Sequence, residues 1–169
     1  MFVPKNNFDE FRPMVFSVEV AFTTNAAAVV PDGAKAEGSV AINDYPFIFD
    51  LVTHQIVQPT NLNNSVQIEQ NGLYRIDWSL YNQERFFQGT PPMADAYFGS
   101  VRHGIWNKLK SPLALEKNKT INVELLNVQE KTREYTVQVL FHGVEDRRTE
   151  EQKQRDRELY ARFTAQQAI

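Results

Sequence analysis

Residues 72–80 read GLYRIDWSL, and from Tyr74 to Leu80 apolar side chains alternate strictly with polar ones. Strict alternation is typical of a half-buried β-strand, because successive side chains point to opposite faces of a sheet. The apolar face comprises Tyr74, Ile76, Trp78 and Leu80. We therefore predict a strand that packs this face on a core and leaves Asp77, on the other face, in solvent. Asn71-Gly72, at its start, is a two-residue hairpin signal.

The same alternation recurs on both sides of this stretch. Clear strands are predicted at residues 14–23, 47–57, 74–80, 121–125 and 135–141. Many short strands separated by turn signals, with no helical period between residues 14 and 144, predict a mainly β protein built as an antiparallel β-sandwich. Long connections at 25–38 and 84–110 favour Greek-key or jelly-roll wiring. Residues 100–119, which contain Pro112, are predicted to be irregular, and the polar residues 127–134 to be a hairpin loop.

Both ends of the chain differ from this β domain of residues 14–144. Residues 1–13 form a predicted extended arm, in which Phe2, Phe8 and Phe11 are too large and apolar for a free leader. We expect this arm either to lie along its own domain or to dock on a neighbouring subunit. Residues 145–169 form a predicted charged α-helix, because they lack Pro and Gly and carry a capping-box pattern at Thr149 and Gln152. The apolar stripe of Leu159 and Phe163 is narrow, so we expect this helix to project and dock elsewhere.

The composition excludes several classes of function. The 169 residues are 42% hydrophobic and contain no cysteine, which excludes disulfides, thiolate metal sites and a thiol nucleophile. The net charge is -3 and no basic stripe is present, so we expect no nucleic-acid partner. No run approaches the roughly 18 apolar residues of a membrane span, and the N-terminus has no secretory pattern. We expect a soluble protein, made in the cytoplasm, without a membrane partner.

No compact catalytic motif appears. The histidines His54, His103 and His142 have no ligand-like spacing, so no metal is predicted. No Gly-x-Ser-x-Gly elbow or Gly-rich phosphate loop occurs, so we predict a protein that is not an enzyme and has no cofactor. Glu84 and Asp95 lie near aromatic side chains and leave open a glycosidase pair.

The aromatic side chains of the long connection are candidates for an interface. Residues 83–99 read QERFFQGTPPMADAYFG, and we expect their rings either to cap one end of the sandwich or to face a neighbouring subunit. The complete set of interface candidates is Phe2, Phe8, Phe11, Phe86, Phe87, Tyr97, Phe98, Trp106, Leu159 and Phe163. An alternative is a lectin-like carbohydrate-binding module, in which Tyr81, Asn82, Asp95 and Trp106 hold a sugar.

The order of segments between residues 46 and 145 resembles a known family. PFIFDLVTHQIVQ (46–58) precedes GLYRIDWSL, and RFFQGTPPMADAYFGS (85–100) and LKSPLALEKNKTINVELLNV (109–128) follow, before EYTVQVLFHGVE (134–145). This order is similar to that of small jelly-roll-type structural proteins of tailed-bacteriophage particles. Such proteins decorate heads, build collars or form the bases of spikes and fibres.

The resemblance implies a binding role without catalytic residues. From the two terminal extensions and the aromatic side chains of the long connections, we expect a symmetric homo-oligomer that binds capsid, portal or fibre proteins in the virion, after synthesis in the host cytoplasm. Exposed arms at both ends would suit that role, since they enlarge an interface without enlarging the core.

Overall fold

A computed structural model describes residues 10–57, 74–80, 87, 89–98, 107–131 and 134–166, with the backbone alone at 95, 97 and 163–166. The elements within these residues are β1 (Phe11–Phe22), β2 (Lys35–Ile42), β3 (Phe47–Val57), β4 (Tyr74–Leu80), α1 (Ala94–Phe98), β5 (Lys108–Leu115), β6 (Lys119–Asn127), β7 (Tyr135–Asp146) and α2 (Glu150–Gln166). The predicted mainly β fold with one long C-terminal helix is confirmed, although Glu145 and Asp146, which were predicted to be helical, belong to β7. β1 begins at Phe11, so residues 11–13 belong to the sandwich and not to the predicted arm.

Two antiparallel sheets form the sandwich. One has the strand order β1-β7-β3-β5 and the other has the order β2-β6-β4. Each described strand lies in the opposite sheet from the described strand before it, so the chain repeatedly crosses the core. This order is consistent with the predicted jelly-roll wiring.

Three local predictions are corrected by this topology. β6 pairs with β2 and β4, whereas β7 pairs with β1 and β3, so residues 127–134 connect two sheets and are not a hairpin loop. β5, predicted to be irregular, is a strand that includes Pro112, and its position at the edge of its sheet is where proline is tolerated. α1 is a single helical turn within residues where no helix was predicted.

The core lies between the two sheets and contains the apolar side chains that alternate along the strands. Phe49 packs with its ring edge-on to Phe141, at 5.4 Å between centroids, and Trp78 lies 6.0 Å from Phe141. All three side chains are buried. The apolar face predicted for residues 74–80 therefore supplies part of this core, through Tyr74, Ile76 and Trp78.

A glycine permits an irregularity in the four-stranded sheet. The register between β3 and β7 shifts between Phe49 and Leu51, which indicates a β-bulge. A Cβ at Gly143 would lie 2.1 Å from the carbonyl oxygen of Ile48 and 2.7 Å from Cα of Phe49. The bulge therefore occupies the space that any side chain at position 143 would need.

Asn127, at the end of β6, closes one end of the sandwich. Its side-chain amide is fully buried and donates to the carbonyls of Pro31 and Gln129, both at 2.7 Å. Its side-chain oxygen accepts a hydrogen bond from the Tyr135 hydroxyl at 3.0 Å. One amide thus joins the connection before β2, the connection after β6 and the start of β7. Burial raises the pKa of Tyr135, which keeps its hydroxyl a donor.

Candidate functional site

Many of the predicted site residues lie where the structure gives no side chain. Phe2, Phe8, Tyr81, Asn82, Glu84, Phe86 and Trp106 lie outside the described residues. The backbones of Asp95 and Tyr97 lie in α1 and that of Phe163 lies in α2. The proposed sugar-binding set and the proposed pair of Glu84 and Asp95 therefore stay predictions.

Phe98 packs inside its own chain. Its side chain is 1% exposed, and its ring lies edge-on to that of the half-buried Phe87, with 6.3 Å between centroids. α1 contacts β3 and β4, which belong to opposite sheets. The sequence left two roles open for the aromatic side chains of this connection, either capping one end of the sandwich or facing a neighbouring subunit. Phe98 has the first role, because it is buried and is not an exposed contact residue.

Asp77 was predicted to be solvated, but it is buried, because the connection that follows β4 folds back over it. Its side chain is 2% exposed and accepts hydrogen bonds from the backbone N–H groups of Trp78, at 2.8 Å, and Phe87, at 3.4 Å. Met93 forms an antiparallel bridge with Arg75, and the Arg75 guanidinium donates to the carbonyl of Pro91 at 2.7 Å. Asp77 and Arg75 thus hold the returning connection against β4.

A polar groove lies on the outer face of the three-stranded sheet. It has a volume of about 400 Å³ and is lined by Glu37, Gly38, Ser39, Asp77, Trp78, Ser79, Asn122, Val123 and Glu124. The strand register places Glu37 opposite Glu124, and Glu124 opposite Asp77. Three carboxylates thus form one row across the sheet, beside a row of two serine hydroxyls and the Asn122 amide. Sequence reasoning missed this groove.

Lys35 lies at the rim of this groove and partly offsets its charge. Its ammonium group is 3.4 Å from the Glu124 carboxylate, and its side chain is largely exposed. An exposed pair of this kind contributes little to stability and is screened by salt.

A salt-bridge cluster fixes the root of α2. Arg148 donates to both oxygens of Asp146 at 2.9 Å and to Asp156, in the second turn of α2, at 2.7 Å. Its guanidinium also lies 4.6 Å from the centre of the Phe11 ring. The hydrogen bonds from Arg148 hold the pKa of the Asp146 carboxyl below its usual value, and those to Asp146 raise the pKa of Arg148.

The predicted capping box at the start of α2 is confirmed. The Gln152 backbone N–H donates to the Thr149 hydroxyl at 3.2 Å, and the Thr149 N–H donates to the Gln152 side chain at 2.7 Å. Gln152 also donates to Glu10 at 2.9 Å, and the Glu10 carbonyl accepts the Arg147 N–H at 2.7 Å. The residue before β1 and the first turn of α2 are therefore tied together.

Beyond this root, α2 is exposed. Every side chain from Gln154 to Arg162 is exposed, including Leu159 at 53% and Tyr160 at 73%. The arginines Arg155, Arg157 and Arg162 are among them. The sequence-based expectation of a helix that projects from the sandwich agrees with this exposure, and the arginines were not part of that expectation.

The histidines of the described strands have structural partners. His54 is buried and hydrogen-bonds the Tyr74 hydroxyl, and His142 lies 2.8 Å from the Thr53 hydroxyl. Burial lowers the pKa of His142. Among the described residues, no three histidine or carboxylate side chains come together in a way that could hold a metal ion.

The comparisons with known proteins identify no family. No protein-family model, curated protein or solved structure matches the chain. No helix in the described ranges has the length and apolarity needed to cross a membrane. Within the described residues, two features bear on function, namely the exposed α2 with its fixed root and the polar groove.

Proposed function

We propose that the chain is a non-enzymatic structural protein of a bacteriophage particle. It assembles into a symmetric homo-oligomer and binds other particle proteins, such as capsid, portal or fibre proteins, through its terminal segments. The observation that carries this proposal is α2, which is clamped at its root by Arg148 and exposed from Gln154 to Arg162.

The contrast between the root of α2 and the rest of the helix supports a docking role. Most helices in proteins are stabilised by tertiary packing, because propensity alone contributes little. Here the tertiary contacts of Arg148 and Gln152 lie at the root. The rest of α2 presents Leu159 and Tyr160 beside three arginines. A rigidly rooted helix with a surface of this mixed character suits binding to another protein.

Sedimentation velocity of the purified chain over a range of concentrations tests the proposal. We expect an oligomer for the full chain and a folded but less associated protein for a chain that ends at Arg148. A full chain that stays monomeric at every concentration, and that does not bind phage particles, would contradict the proposal. Circular dichroism of the shortened chain is the control that its sandwich is still folded.

The carbohydrate-binding alternative gains no support from the groove. Sugar sites often offer an aromatic ring for stacking, but Trp78, the aromatic residue in the described lining, turns its ring into the core, where it packs near Phe49 and Phe141. The alternative therefore depends on Tyr81, Asn82, Asp95 and Trp106, whose side chains are not described. A glycan-array screen, with Trp106→Ala as the comparison, tests it.

A further inference from the structure

We propose that α2 pairs with α2 of a second copy of this chain in antiparallel orientation, and that a stripe of alternating charges forms the contact. This charged stripe consists of Glu151, Arg155, Glu158 and Arg162. The inference rests on the proposed homo-oligomer and names the surface through which two copies meet. It is carried by the order of the charges, which complements itself when the helix is reversed.

The four side chains of the charged stripe lie on one face of α2. Their spacings of four, three and four residues keep them within an arc of about 60°, because an α-helix turns by about 100° per residue. All four are exposed. In the described part of the chain, Glu151, Arg155 and Arg162 have no side-chain hydrogen bond or ion pair, and Glu158 accepts one hydrogen bond, from Gln154 at 3.0 Å. The charged stripe is therefore open to a partner.

The charged stripe faces away from the sandwich to which α2 is rooted. Gln152 and Lys153 are half-buried, and Asp156 accepts a hydrogen bond from Arg148 at the root, so these residues mark the side of α2 towards the sandwich. The middle of the charged stripe lies about 140° around the helix from the middle of that side. A second helix can thus lie along the charged stripe without displacing the contacts at the root.

Reversal of the helix places opposite charges against each other throughout the charged stripe. In an antiparallel pair centred between residues 156 and 157, Glu151 faces Arg162 of the second copy and Arg155 faces Glu158 of the second copy. Two-fold symmetry repeats both pairs, which gives four pairs of opposite charge along about 16 Å of helix. A parallel pair in register would instead bring like charges together, so the charge order favours the antiparallel orientation.

Leu159 supplies an apolar group beside the charged stripe. It is 53% exposed and lies about 70° around the helix from the middle of the charged stripe. The two-fold symmetry of the antiparallel pair brings Leu159 of both copies to the same side of the contact, about 7.5 Å apart along its axis. The contact would therefore remove part of this exposed leucine surface from water, which is favourable.

Two double variants of the same composition test the order of the charges. Glu151→Arg with Arg155→Glu makes like charges face each other in all four pairs, and we expect it to weaken self-association about tenfold or more. Glu151→Arg with Arg162→Glu keeps every facing pair opposite, and we expect it to associate like the natural chain. Sedimentation velocity over a range of concentrations is the measurement, at low and at high salt, because salt screens exposed ion pairs.

The two variants are matched controls for each other. Both keep the net charge of -3 and share the change at Glu151, so an effect of net charge or of the first helical turn would be equal in both. The variant expected to associate has like charges four residues apart within its own helix, whereas the variant expected to dissociate has opposite charges there. A weakened helix would therefore give the reverse order. Circular dichroism measures the helix content of both.

The outcomes separate this inference from the proposed function. Equal association of the two variants would overturn the antiparallel contact, while association of the natural chain would leave the homo-oligomer standing. A natural chain that is monomeric at every concentration would overturn the inference, and if it also failed to bind phage particles it would contradict the proposed function. Unchanged self-association of the first variant with reduced binding to phage particles would assign the charged stripe to another protein and overturn the inference.

Discussion

β7 and α2 are consecutive in the chain and differ in almost every physical respect. β7 lies between β1 and β3 and buries alternate side chains along most of its length. α2 begins only a few residues later and exposes every side chain from Gln154 to Arg162. The comparison teaches that the stability of this chain and its capacity for contact reside in different segments. Changes to one should therefore leave the other largely intact.

The largest expected effect is the loss of the Phe141 ring from the centre of β7. Phe141→Ala should lower the free energy of unfolding by about 3–5 kcal/mol, because the fully buried ring leaves a cavity beside Phe49 and Trp78. Urea unfolding measures the change. The matched change in α2, Leu159→Ala, should alter it by less than about 0.5 kcal/mol. Equal effects would contradict the division of roles.

A smaller effect is expected where β7 accommodates the bulge of β3. Gly143→Ala should cost about 1–3 kcal/mol, because the new methyl group would meet the Ile48 carbonyl at 2.1 Å and force the backbone to shift. Thermal or urea unfolding gives the value. Thr136→Ala, on the same strand and half-buried, is the control, and a Gly143→Ala protein as stable as that control would rule out the close approach.

Loss of the helix cap should affect α2 and spare the sandwich. Thr149→Ala removes the hydroxyl that accepts the Gln152 N–H and should weaken the helix by about 1 kcal/mol. We expect reduced helical circular dichroism at an unchanged unfolding midpoint for the β domain. Thr149→Ser, which keeps the hydroxyl, should behave like the natural chain. A shifted midpoint would show that α2 does contribute to the stability of the sandwich.

The smallest expected effect is a dependence on pH through His142. Burial holds its pKa below the ordinary 6.5, so the unfolded chain takes up the proton first as the pH falls. This contribution to stability is therefore complete above pH 6.5 and decreases as the pH falls from there through the lower folded-state pKa. His142→Gln should make the unfolding midpoint less sensitive to acidification between about pH 7.5 and about pH 5.5. An unchanged pH profile would exclude this role.

Alternation predicted the strands well where one face is buried. Tyr74, Ile76 and Trp78 of β4 are buried as the pattern indicated. The same pattern was wrong for Asp77, because its carboxylate is covered by the connection near Phe87, which a local period cannot reveal. Whether a residue on the outer face of a sheet is buried depends on where other segments of the chain fold back over that face.

The sequence did not reveal which strands pair with each other. The polar residues 127–134 resemble a hairpin loop, but Asn127 ends a strand of one sheet and Tyr135 begins a strand of the other. A short polar link has similar composition in both cases. Pro112 likewise suggested irregular chain, and only its position on an edge strand makes it compatible with pairing.

The candidate site was predictable only in its local parts. The capping box at Thr149 and Gln152 depends on residues three apart, so the sequence revealed it. The groove depends on Glu37, Glu124 and Asp77, which come from three strands far apart in the chain. Their common row follows from strand register, which no single segment specifies.

The clamp at Arg148 has a mechanical consequence. α2 has 17 residues and is therefore about 25 Å long, so it acts as a lever whose fulcrum is its first turns. A tilt of about 5° at the fulcrum would displace the far end by about 2 Å at this length. The paired hydrogen bonds to Asp146, together with the bond to Asp156, restrain that tilt. In any assembly built through α2, the spacing of neighbouring copies would thus be set by one arginine near the pivot.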